Sequence, residues 1–405
     1  MRSYPFSAVL LLCFVILLVD IFAFYWLLSI TQIITTLLVK YVIYAAFWIF
    51  TIGLIASIII LRSRLKKIQA YRRQLFISSL YGLVVVSLVP KFIFVVVFST
   101  LYFTNYIISK EASLIVLPLI GLVSGFLPFF TILYGIFSTK YKFEVRRNII
   151  KFKNLPIDFN QLKIVQISDL HLGSFSFNYA ILEKAVTIIN KLNPDFIFFT
   201  GDLVNNYAWE LKGWSSVLLK LKAKMGKYAV LGNHDYGDYS KWKSLKAKQS
   251  NHESIKYFFK KIEFNLLLNS AEVVTLNKNK LAIIGVENWG IPPFKQYGDL
   301  QKALAAVKDV KFKILLSHDP IHWSKEVVRK TDISLTLSGH THGMQAGVQT
   351  KNIKWSPIKY KYKHWAGLYL IGEQYLHVNK GLGWLGFPGR LGMRPEISLI
   401  TIGIK

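Results

Sequence analysis

The chain has 405 residues, of which 53% are hydrophobic and only 18% are charged. This composition is too apolar for an ordinary soluble protein and argues against a purely cytosolic enzyme. The charges are unbalanced, with 50 Lys and Arg against 22 Asp and Glu and a formal net charge of +28, which points to an anionic partner. A single cysteine, Cys13, excludes an intramolecular disulfide framework.

The apolar residues are concentrated in the N-terminal third. The first 137 residues contain ten basic and two acidic side chains, and the last 268 contain 40 and 20. Four apolar runs, at about 6–30, 41–61, 76–104 and 114–137, are each long enough to span a hydrocarbon core of about 30 Å. We predict a transmembrane domain of four helices over 1–137, a basic linker over 138–160 and a second domain over 161–405.

Two charged residues fall inside the predicted spans. The third run carries Pro90-Lys91 near its middle, which favours a kinked span over a pair of half-spans. Asp20 and Lys91 are expected to pair with one another or to extend toward the membrane surface. A transport pathway would need more intramembrane charge than these two residues supply.

The charges of the loops predict the orientation of the chain. RSRLKKIQAYRRQ, between the second and third runs, has six basic residues, and STKYKFEVRRNIIKFK, after the fourth, has six beside Glu144. The two opposite loops contribute only Lys40 and Lys110. Positively charged loops favour the cytoplasmic side, and Met1-Arg2 fits the same side. We therefore expect a multi-pass protein of a bacterial-type inner membrane, with its C-terminal domain in the cytoplasm.

From Lys163 onward the sequence changes to short, β-branched runs that predict an α/β domain. Six runs, KIVQIS, DFIFFT, KYAVLG, KLAIIGV, KILLSH and ISLTLSG, each have the length of a buried strand, and NYAILEKAVTIINKLN has the pattern of a crossover helix. Five runs end in residue types that bind metals. These blocks are Ser168-Asp169-Leu170-His171, Thr200-Gly201-Asp202, Gly232-Asn233-His234-Asp235, Ser317-His318-Asp319 and Gly339-His340-Thr341-His342. Because ligands gather outside the carboxyl ends of strands, the blocks are expected to form one site.

The residue types at these strand ends suit a pair of metal ions. Two divalent ions about 3.5–4 Å apart need a bridging carboxylate, with oxygen and imidazole donors around each ion. A spacing of two places the donors of Asp169 and His171 on one face of an extended segment, and the same holds for His340 and His342. The glycines before Asp202, Asn233 and His340 permit tight turns beside the ions.

In their order DxH, GD, GNHD, H and GHTH, the five blocks resemble the calcineurin-like metallophosphoesterase superfamily. The later segments VNKGLG and RPEISLITI make residues 160–403 similar to its membrane-associated bacterial subgroup, which includes cell-envelope phosphoesterases and the lipid-A-pathway UDP-diacylglucosamine pyrophosphohydrolases. The resemblance implies a four-layer metallophosphoesterase β-sandwich flanked by helices, here preceded by the transmembrane bundle. The four spans lie outside the resemblance.

The resemblance also implies a role for each residue of the motif. One metal ion would be held by Asp169, His171, Asp202 and His342. The other would be held by Asp202, Asn233, His318 and His340, with Asp202 as the bridge. His234 would stabilise or protonate the leaving oxygen, and Asp235 would orient its ring. Met344 stands where the subgroup commonly has glycine and is expected to narrow the floor of the pocket without removing a ligand.

The identity of the two divalent ions stays open, since such a donor set suits Mn²⁺, Zn²⁺, Fe or Co²⁺. The remaining histidines outside the motif are expected to be structural, because a lone histidine is more often a hydrogen-bonded residue than a ligand. They are His252, His322, His364 and His377.

A basic and aromatic segment, KNIKWSPIKYKYKHWAGLY at 351–369, follows the GHTH block. One interpretation is a membrane-facing lip that places aromatic rings among headgroups and lysines on lipid phosphates. Its aromatic residues are Trp355, Tyr360, Tyr362 and Trp365, and its lysines include Lys354, Lys359, Lys361 and Lys363. The same mixture could bind single-stranded nucleic acid, or could be an exposed β-edge protected by lysines. No pattern indicates specific nucleic-acid readout.

The sequence thus predicts a membrane-anchored, dinuclear metal-dependent phosphohydrolase. Its substrate would be a phosphodiester, phosphomonoester or pyrophosphate that is lipid-linked or nucleotide-linked, with membrane lipids as further partners. Two alternatives stay open: the same chemistry on a soluble cyclic nucleotide or phosphoprotein, and a non-enzymatic membrane sensor. The oligomeric state is not predicted.

Overall fold

A computed structural model describes residues 5–65, 67–104, 110–292, 294–350 and 353–405. Arg2, Lys66 and Lys351, which the loop charges and the basic segment include, lie outside the described residues. The chain divides into two compact units. The helical unit comprises residues up to 138 together with 386–389, and the α/β unit comprises 139–385 and 390–405.

Within its described residues, the helical unit contains four long helices, as the apolar runs predict. They are α1 (Phe6–Ile30), α2 (Leu37–Arg64), α3 (Ala70–Phe103) and α4 (Lys110–Phe137). Each is long and apolar enough to cross a membrane. Helix α3 begins before its apolar run because the polar residues Arg72, Arg73 and Gln74 extend it. Helix α2 begins at Leu37 because three further apolar residues, Leu37, Leu38 and Val39, precede Lys40. Pro90 lies inside the uninterrupted helix α3, so the third run is one span and not two half-spans.

The two charged residues inside the spans contact one another. Lys91 Nζ lies 2.8 Å from Asp20 Oδ2, and Thr51 Oγ1 donates a hydrogen bond to the same oxygen. Lys91 Nζ also lies 4.5 Å from the centre of the Phe47 ring. The pairing of Asp20 with Lys91 is therefore confirmed, and it joins α1, α2 and α3 through one compensated contact.

The α/β unit contains fourteen strands within its described residues. They are β1 (Glu144–Phe152), β2 (Leu162–Ile167), β3 (Phe196–Phe199), β4 (Gly226–Ala229), β5 (Asn265–Leu266), β6 (Ser270–Leu276), β7 (Asn279–Gly285), β8 (Lys313–Leu316), β9 (Leu335–Ser338), β10 (Val348–Gln349), β11 (Lys354–Trp355), β12 (Gly367–Ile371), β13 (Gln374–Val378) and β14 (Glu396–Ile404). Strands β2, β3, β4, β7, β8 and β9 are the six runs predicted from the sequence.

The strands form two six-stranded sheets and one small hairpin. The order in the first sheet is β1-β14-β2-β3-β4-β5, and in the second it is β12-β13-β9-β8-β7-β6. Strands β2 to β5 are parallel, as are β7, β8, β9 and β13. Because parallel neighbours end at the same edge of a sheet, the segments that follow these strands are brought together. Strands β10 and β11 form the hairpin.

Alternate residues of the strands supply three apolar layers. Ile164 and Phe198 of the first sheet pack with Leu281 and Ile314 of the second, which fills the space between the sheets. The outer face of the first sheet is covered by helices α5 (Tyr179–Lys191), α6 (Ser215–Leu218) and α7 (Leu245–Lys261). Helix α8 (Leu300–Ala305) helps to cover the second. This arrangement of helices, sheet, sheet and helix is the four-layer sandwich that the resemblance implies.

Strand β1 lies within the segment expected to be a basic linker, 138–160. It pairs in parallel with β14 from Glu144 opposite Glu396 to Phe152 opposite Ile404. The α/β unit therefore begins before residue 161, and much of the expected linker is an edge strand. Its basic side chains hide the strand pattern in the sequence, and edge strands commonly carry such charges.

Candidate active site

The five motif blocks meet at the carboxyl ends of strands from both sheets. Asp169 follows β2, Asp202 follows β3 and Asn233 follows β4, while His318 and His340 follow β8 and β9. Two clusters of donor side chains result, and the donor atoms within each lie within 4.8 Å of one another. The first cluster is Asp169, His171 and His342, and the second is Asp202, His318 and His340.

In the first cluster, two imidazole nitrogens face each other directly. His171 Nε2 lies 3.0 Å from His342 Nε2, and His342 Nε2 lies 3.3 Å from Asp169 Oδ1. The rings of His171 and His342 stack with their centres 4.9 Å apart. All three side chains are buried. Their donor atoms thus point into one small space.

The second cluster includes the side-chain oxygen of Asn233. His318 Nε2 lies 3.1 Å and His340 Nδ1 lies 2.8 Å from Asn233 Oδ1. His318 Nε2 lies 3.3 Å from Asp202 Oδ2, and the same oxygen lies 3.6 Å from His171 Nε2 of the first cluster. One carboxylate oxygen therefore lies between the two clusters, where the resemblance places the bridging ligand.

The backbone at the site is held in conformations that most residues avoid. Asp169, His171 and Asp202 have φ values of +50°, +46° and +61°, and His340 and His342 are also left-handed. Such residues cluster at functional sites, where the surrounding structure maintains them.

Close backbone approach explains two of the motif glycines. A Cβ atom on Gly232 would lie 2.2 Å from Asp202 Oδ1, and one on Gly339 would lie 2.3 Å from Asp169 Oδ2. Any larger residue at these positions would therefore displace a carboxylate of the site.

Burial and mutual charge set the protonation of the site. Burial raises the pKa of Asp169 to about 7 and lowers the pKa values of His171 and His340 to about 3. Burial also disfavours charge on Asp202 and His318, but their mutual attraction outweighs it. The pKa of His318 is raised to about 10, and that of Asp202 is held well below its usual range.

These donors fit a pair of divalent cations. Among the described residues, the Nδ1 atom of His342 is buried without a hydrogen-bond partner, while the Nε2 atoms of His171 and His342 converge. Neutral imidazoles at this distance share at most one proton between the facing nitrogens, whereas a cation would engage both lone pairs. Nitrogen and oxygen donors of this kind suit Mn²⁺, Zn²⁺, Fe or Co²⁺.

His234 lies beside the clusters without joining either. Its ring centre is 5.1 Å from that of His171 and 4.6 Å from that of Tyr239, and the residue is partly exposed. Its Nδ1–H donates to the carbonyl oxygen of Asn205 at 2.7 Å. A main-chain carbonyl, and not a carboxylate, therefore orients the ring.

The role expected for Asp235 is wrong. Its carboxylate does not bind the His234 ring but accepts four main-chain N–H bonds, from Asp202 (3.0 Å), Leu203 (2.9 Å), Val204 (3.1 Å) and Gly232 (3.0 Å). Asp235 fixes the turn that carries Asp202. Adjacent side chains diverge in a tight turn, so the Asp235 carboxylate does not contact the His234 ring although the two residues are neighbours in sequence.

Three further residues contact the second cluster and were missed from the sequence. One is Tyr239, whose Oη accepts a hydrogen bond from Asn233 Nδ2 at 2.8 Å. Tyr362 Oη lies 2.8 Å from His340 Nε2, and Asp319 Oδ2 lies 3.7 Å from the same nitrogen. Asp319 directly follows the motif residue His318, and this position in the sequence could have identified it as a neighbour of the site. Tyr362 comes from the basic and aromatic segment, and nothing in its local pattern separates it from its neighbours.

The basic and aromatic segment is only partly exposed. Trp355 is 43% and Tyr360 79% exposed, whereas Tyr362 and Trp365 are buried. Lys354 Nζ donates to Tyr369 Oη at 2.7 Å and lies over its ring, so it is bound within the domain. Residues 357–360 form a helical turn, so the alternating lysines and tyrosines are not a β-edge.

Met344 and the histidines outside the motif belong to neither cluster. Met344 is 54% exposed, and its narrowing of the pocket floor stays a prediction. His322 is buried with its Nδ1 2.8 Å from Ser317 Oγ, and His377 Nδ1 lies 2.7 Å from Gln166 Oε1. Neither cluster includes them, nor His252 or His364.

The facing sheets, the two clusters at their strand ends and the four membrane-length helices define a membrane-anchored metallophosphoesterase. Residues 162–344 match the family described as "Calcineurin-like phosphoesterase". Residues 3–140 match "Probable Calcineurin-like phosphoesterase, transmembrane domain". The chain belongs to the calcineurin-like metallophosphoesterase family, and the second match extends the relationship to the helices, which the sequence motifs left out.

Similar proteins occur in bacteria and animals. The chain is 30% identical over 279 residues to "Uncharacterized metallophosphoesterase YkuE" of Bacillus subtilis (strain 168), covering 66% of this chain and 88% of that protein. It is 27% identical over 260 residues to "Phosphodiesterase YaeI" of Escherichia coli (strain K12), covering 64% and 87%. "Transmembrane protein with metallophosphoesterase domain" of Bos taurus is 30% identical over 258 residues, covering 61% and 54%.

Proposed function

We propose that the α/β unit hydrolyses a phosphodiester, phosphomonoester or pyrophosphate bond in a lipid-linked or nucleotide-linked substrate. The observation that carries this proposal is the position of Asp202 Oδ2, 3.6 Å from His171 Nε2 and 3.3 Å from His318 Nε2. A shared carboxylate between two donor clusters is the arrangement that two-ion phosphoester hydrolysis needs.

The donor sets divide between two ions. Asp169, His171, Asp202 and His342 would hold one ion. Asp202, Asn233, His318 and His340 would hold the other. Such ions would supply Lewis acidity toward the phosphoryl oxygens and an attacking water. Which of Mn²⁺, Zn²⁺, Fe or Co²⁺ is used depends on supply as well as on the donors.

His234 is the residue best placed to serve the leaving oxygen. Because its Nδ1–H is engaged by the Asn205 carbonyl, Nε2 is the nitrogen available to a substrate. In its imidazolium form the ring can donate the Nε2 proton to the departing oxygen, and in its neutral form it can accept one. The fixed Nδ1 contact holds the ring ready for this transfer.

A lipid-linked substrate is favoured by the surface that follows the GHTH block. We call this surface the rim and define it as the exposed side chains Met344, Val348, Ile353, Trp355, Tyr360, Lys359, Lys361 and Lys363. Residues 344–372 contain no Asp or Glu. Exposed apolar and aromatic side chains interleaved with lysines match the boundary between acyl chains and anionic headgroups.

The segment that carries the rim is joined to the motif by two hydrogen bonds of residues outside the rim. Ser356 Oγ donates to the carbonyl oxygen of Gly343 at 2.9 Å, and Tyr362 Oη contacts His340 Nε2 at 2.8 Å. A substrate whose apolar part lies on the rim would therefore have its phosphate near the donor clusters. A soluble cyclic nucleotide or phosphoprotein would make no use of these apolar side chains.

The cytoplasmic face of an inner membrane is the location that the loop charges support. The segments 62–73 and 138–153, which follow the second and fourth apolar runs, each hold six basic residues, against Lys40 and Lys110 in the segments on the opposite side. A C-terminal fluorescent-protein fusion should be bright and a C-terminal alkaline-phosphatase fusion inactive. The reverse result would place the α/β unit on the other side.

The phosphohydrolase proposal is tested with Asp202→Ala. Purified protein with Mn²⁺ is assayed on bis-p-nitrophenyl phosphate. Loss of the shared carboxylate is expected to lower kcat by about 1,000-fold or more, since both clusters lose a donor. Arg394→Met, a change at an exposed site, is the control. Equal rates for Asp202→Ala and the parent would overturn the proposal.

The lipid proposal is tested with the double variant Trp355→Ser/Tyr360→Ser. Its kcat/KM is expected to fall about tenfold on a UDP-diacyl sugar in anionic vesicles and to stay unchanged on bis-p-nitrophenyl phosphate. Tyr257→Ser, which changes an exposed tyrosine on α7, is the matched control. If the double variant kept the parental kcat/KM on the vesicle substrate, a soluble phosphate ester would be favoured as the natural substrate.

A further inference from the structure

Arg390 is a fully buried cation whose partners, in the described part of the chain, are all main-chain carbonyls. Its Nη2 donates to the oxygens of Lys380 (2.9 Å), Gly381 (3.0 Å) and Gly383 (2.5 Å). Its Nε donates to Gly383 at 3.1 Å and its Nη1 to Met393 at 3.2 Å. Burying a guanidinium is costly unless its donors are satisfied, so this set of bonds is specific.

Three of these carbonyls belong to residues 380–383, which we call the strap. The strap follows β13 and packs on the turn that carries Asp169. Leu382 N–H donates to the Ser168 carbonyl at 3.0 Å, and Gly383 N–H donates to the Asp169 carbonyl at 2.8 Å. The main chain of the strap therefore fixes the main chain of a first-cluster residue.

The strap also touches the side chains of the first cluster. Gly381 has φ +76°, and a Cβ atom there would lie 2.7 Å from Asp169 Cβ and 3.3 Å from His342 Nδ1. The strap thus contacts both Asp169 and His342, which come from segments far apart in the sequence. A shift of the strap would move one donor relative to the other.

We propose that Arg390 is a positioning residue for the first cluster. By binding the carbonyls of the strap, it holds the strap against Asp169 and His342 and maintains the left-handed turn at Asp169. This inference rests on the proposed function, since it concerns the cluster that would hold the first divalent ion. Arg390 itself does not touch substrate, and it acts through the strap alone.

The test measures metal binding by the purified full-length chain in detergent. Arg390→Met keeps the length of the side chain but removes every donor, and Arg390→Lys keeps the charge without the planar set of donors. Arg390→Met is expected to weaken one of two Mn²⁺ sites by about 10–100-fold and leave the other unchanged. Arg390→Lys should give a smaller loss, and Arg394→Met none.

The absorption spectrum of the Co²⁺-loaded chain identifies which of the two metal sites is weakened. The spectrum of Arg390→Met should change in the same direction as that of His171→Ala, which removes a donor of the first cluster. Gly381→Ala, whose Cβ would crowd Asp169 directly, gives the reference spectrum for a displaced strap. If Arg390→Met does not fold, Arg390→Lys decides the question.

Parental affinities and an unchanged Co²⁺ spectrum in the folded Arg390 variants would overturn the inference alone. That result would leave Arg390 as a purely structural residue, with the parent still binding two ions. A parent chain that bound no divalent ion would overturn the proposed function and this inference together.

Discussion

Both units bury ionisable side chains, but they compensate them in different ways. In the helical unit, Asp20 accepts from Lys91 at 2.8 Å and from Thr51, so the two charges neutralise each other. At the active site, His171 and His342 direct nitrogens at one another across 3.0 Å, and His342 Nε2 also lies 3.3 Å from Asp169 Oδ1. In the helical unit a carboxylate faces an ammonium group, whereas in the first cluster three donor atoms converge on a space that suits a bound cation.

The difference separates structural charge from functional charge. The α/β unit shows both kinds, because Glu396 lies 3.4 Å from Lys380 and accepts from Ser398 at 2.6 Å, and neither Glu396 nor Lys380 belongs to a donor cluster. Buried charge alone therefore does not mark a functional site. Imidazole and carboxylate donors that converge on one small space mark it, even where two of them, Asp202 and His318, attract one another.

The largest effect is expected at the residue that serves the leaving oxygen. His234→Asn should lower kcat on bis-p-nitrophenyl phosphate by about 100–10,000-fold, because it removes the proton-transfer group. Binding of two Mn²⁺ ions, measured by calorimetry, should be unchanged because His234 belongs to neither cluster.

Asp235→Asn is the matched comparison one residue away. The amide has one acceptor oxygen in place of two, so it cannot accept all four N–H bonds around Asp202. The main effect should therefore be on Mn²⁺ binding, which we expect to weaken by about 10–100-fold. Intact metal binding with a selective fall in kcat would restore the ring-orienting role for Asp235.

The second prediction concerns the compensated pair of the helical unit. Asp20→Ala leaves Lys91 unpaired among the helices, which should destabilise that unit by about 2.5–3.5 kcal/mol in a detergent unfolding titration. Adding Lys91→Met should recover most of the loss, because the unpaired charge is removed. Activity on bis-p-nitrophenyl phosphate should stay at the parental level. A fall in kcat with the fold intact would show that the pair is more than structural.

The sequence was sufficient to predict the spans and the donor residues for a physical reason. A membrane span needs only length and apolarity, and each donor block follows a buried strand directly. Because parallel strands end at one edge, residues such as Asp169, Asp202 and His340 had to come together once the strands were recognised.

The sequence was insufficient where a side chain's direction or a long-range partner decides the role. The turn after Asn233 directs Asp235 toward the Asp202 main chain and away from His234, which no linear motif reveals. Tyr362 and Arg390 reach the site region through irregular segments, so their contacts depend on loop paths. The basic side chains of β1 hid an edge strand within an expected linker.

Metal binding should stabilise only the unit that holds the donor clusters. Mn²⁺ at 100 times its Kd should raise the free energy of unfolding of the α/β unit by about 2.7 kcal/mol for each of the two sites, by mass action. Thermal unfolding followed by tryptophan fluorescence measures the shift. Asp20→Ala should respond to Mn²⁺ as the parent does, and Asp202→Ala should respond far less. An equal response of Asp202→Ala would break the distinction between the two kinds of buried charge.

The smallest effect is a pH dependence at a buried histidine outside the clusters. Burial lowers the pKa of His377 to about 4, and Glu396 opposes the shift only in part. Its ring donates through Nδ1–H to Gln166 Oε1 at 2.7 Å in the neutral form. Because the unfolded chain takes up this proton near pH 6.5 and the folded chain does not, stability is full above that pH and falls as the pH drops toward 4.

His377→Gln removes the titrating group and can keep the bond to Gln166. Between pH 7 and pH 5 the parent should therefore lose about 2 kcal/mol more stability than His377→Gln. Identical losses in thermal unfolding at the two pH values would mean that His377 is charged in the folded chain, and that the Glu396 group compensates it as Asp20 compensates Lys91.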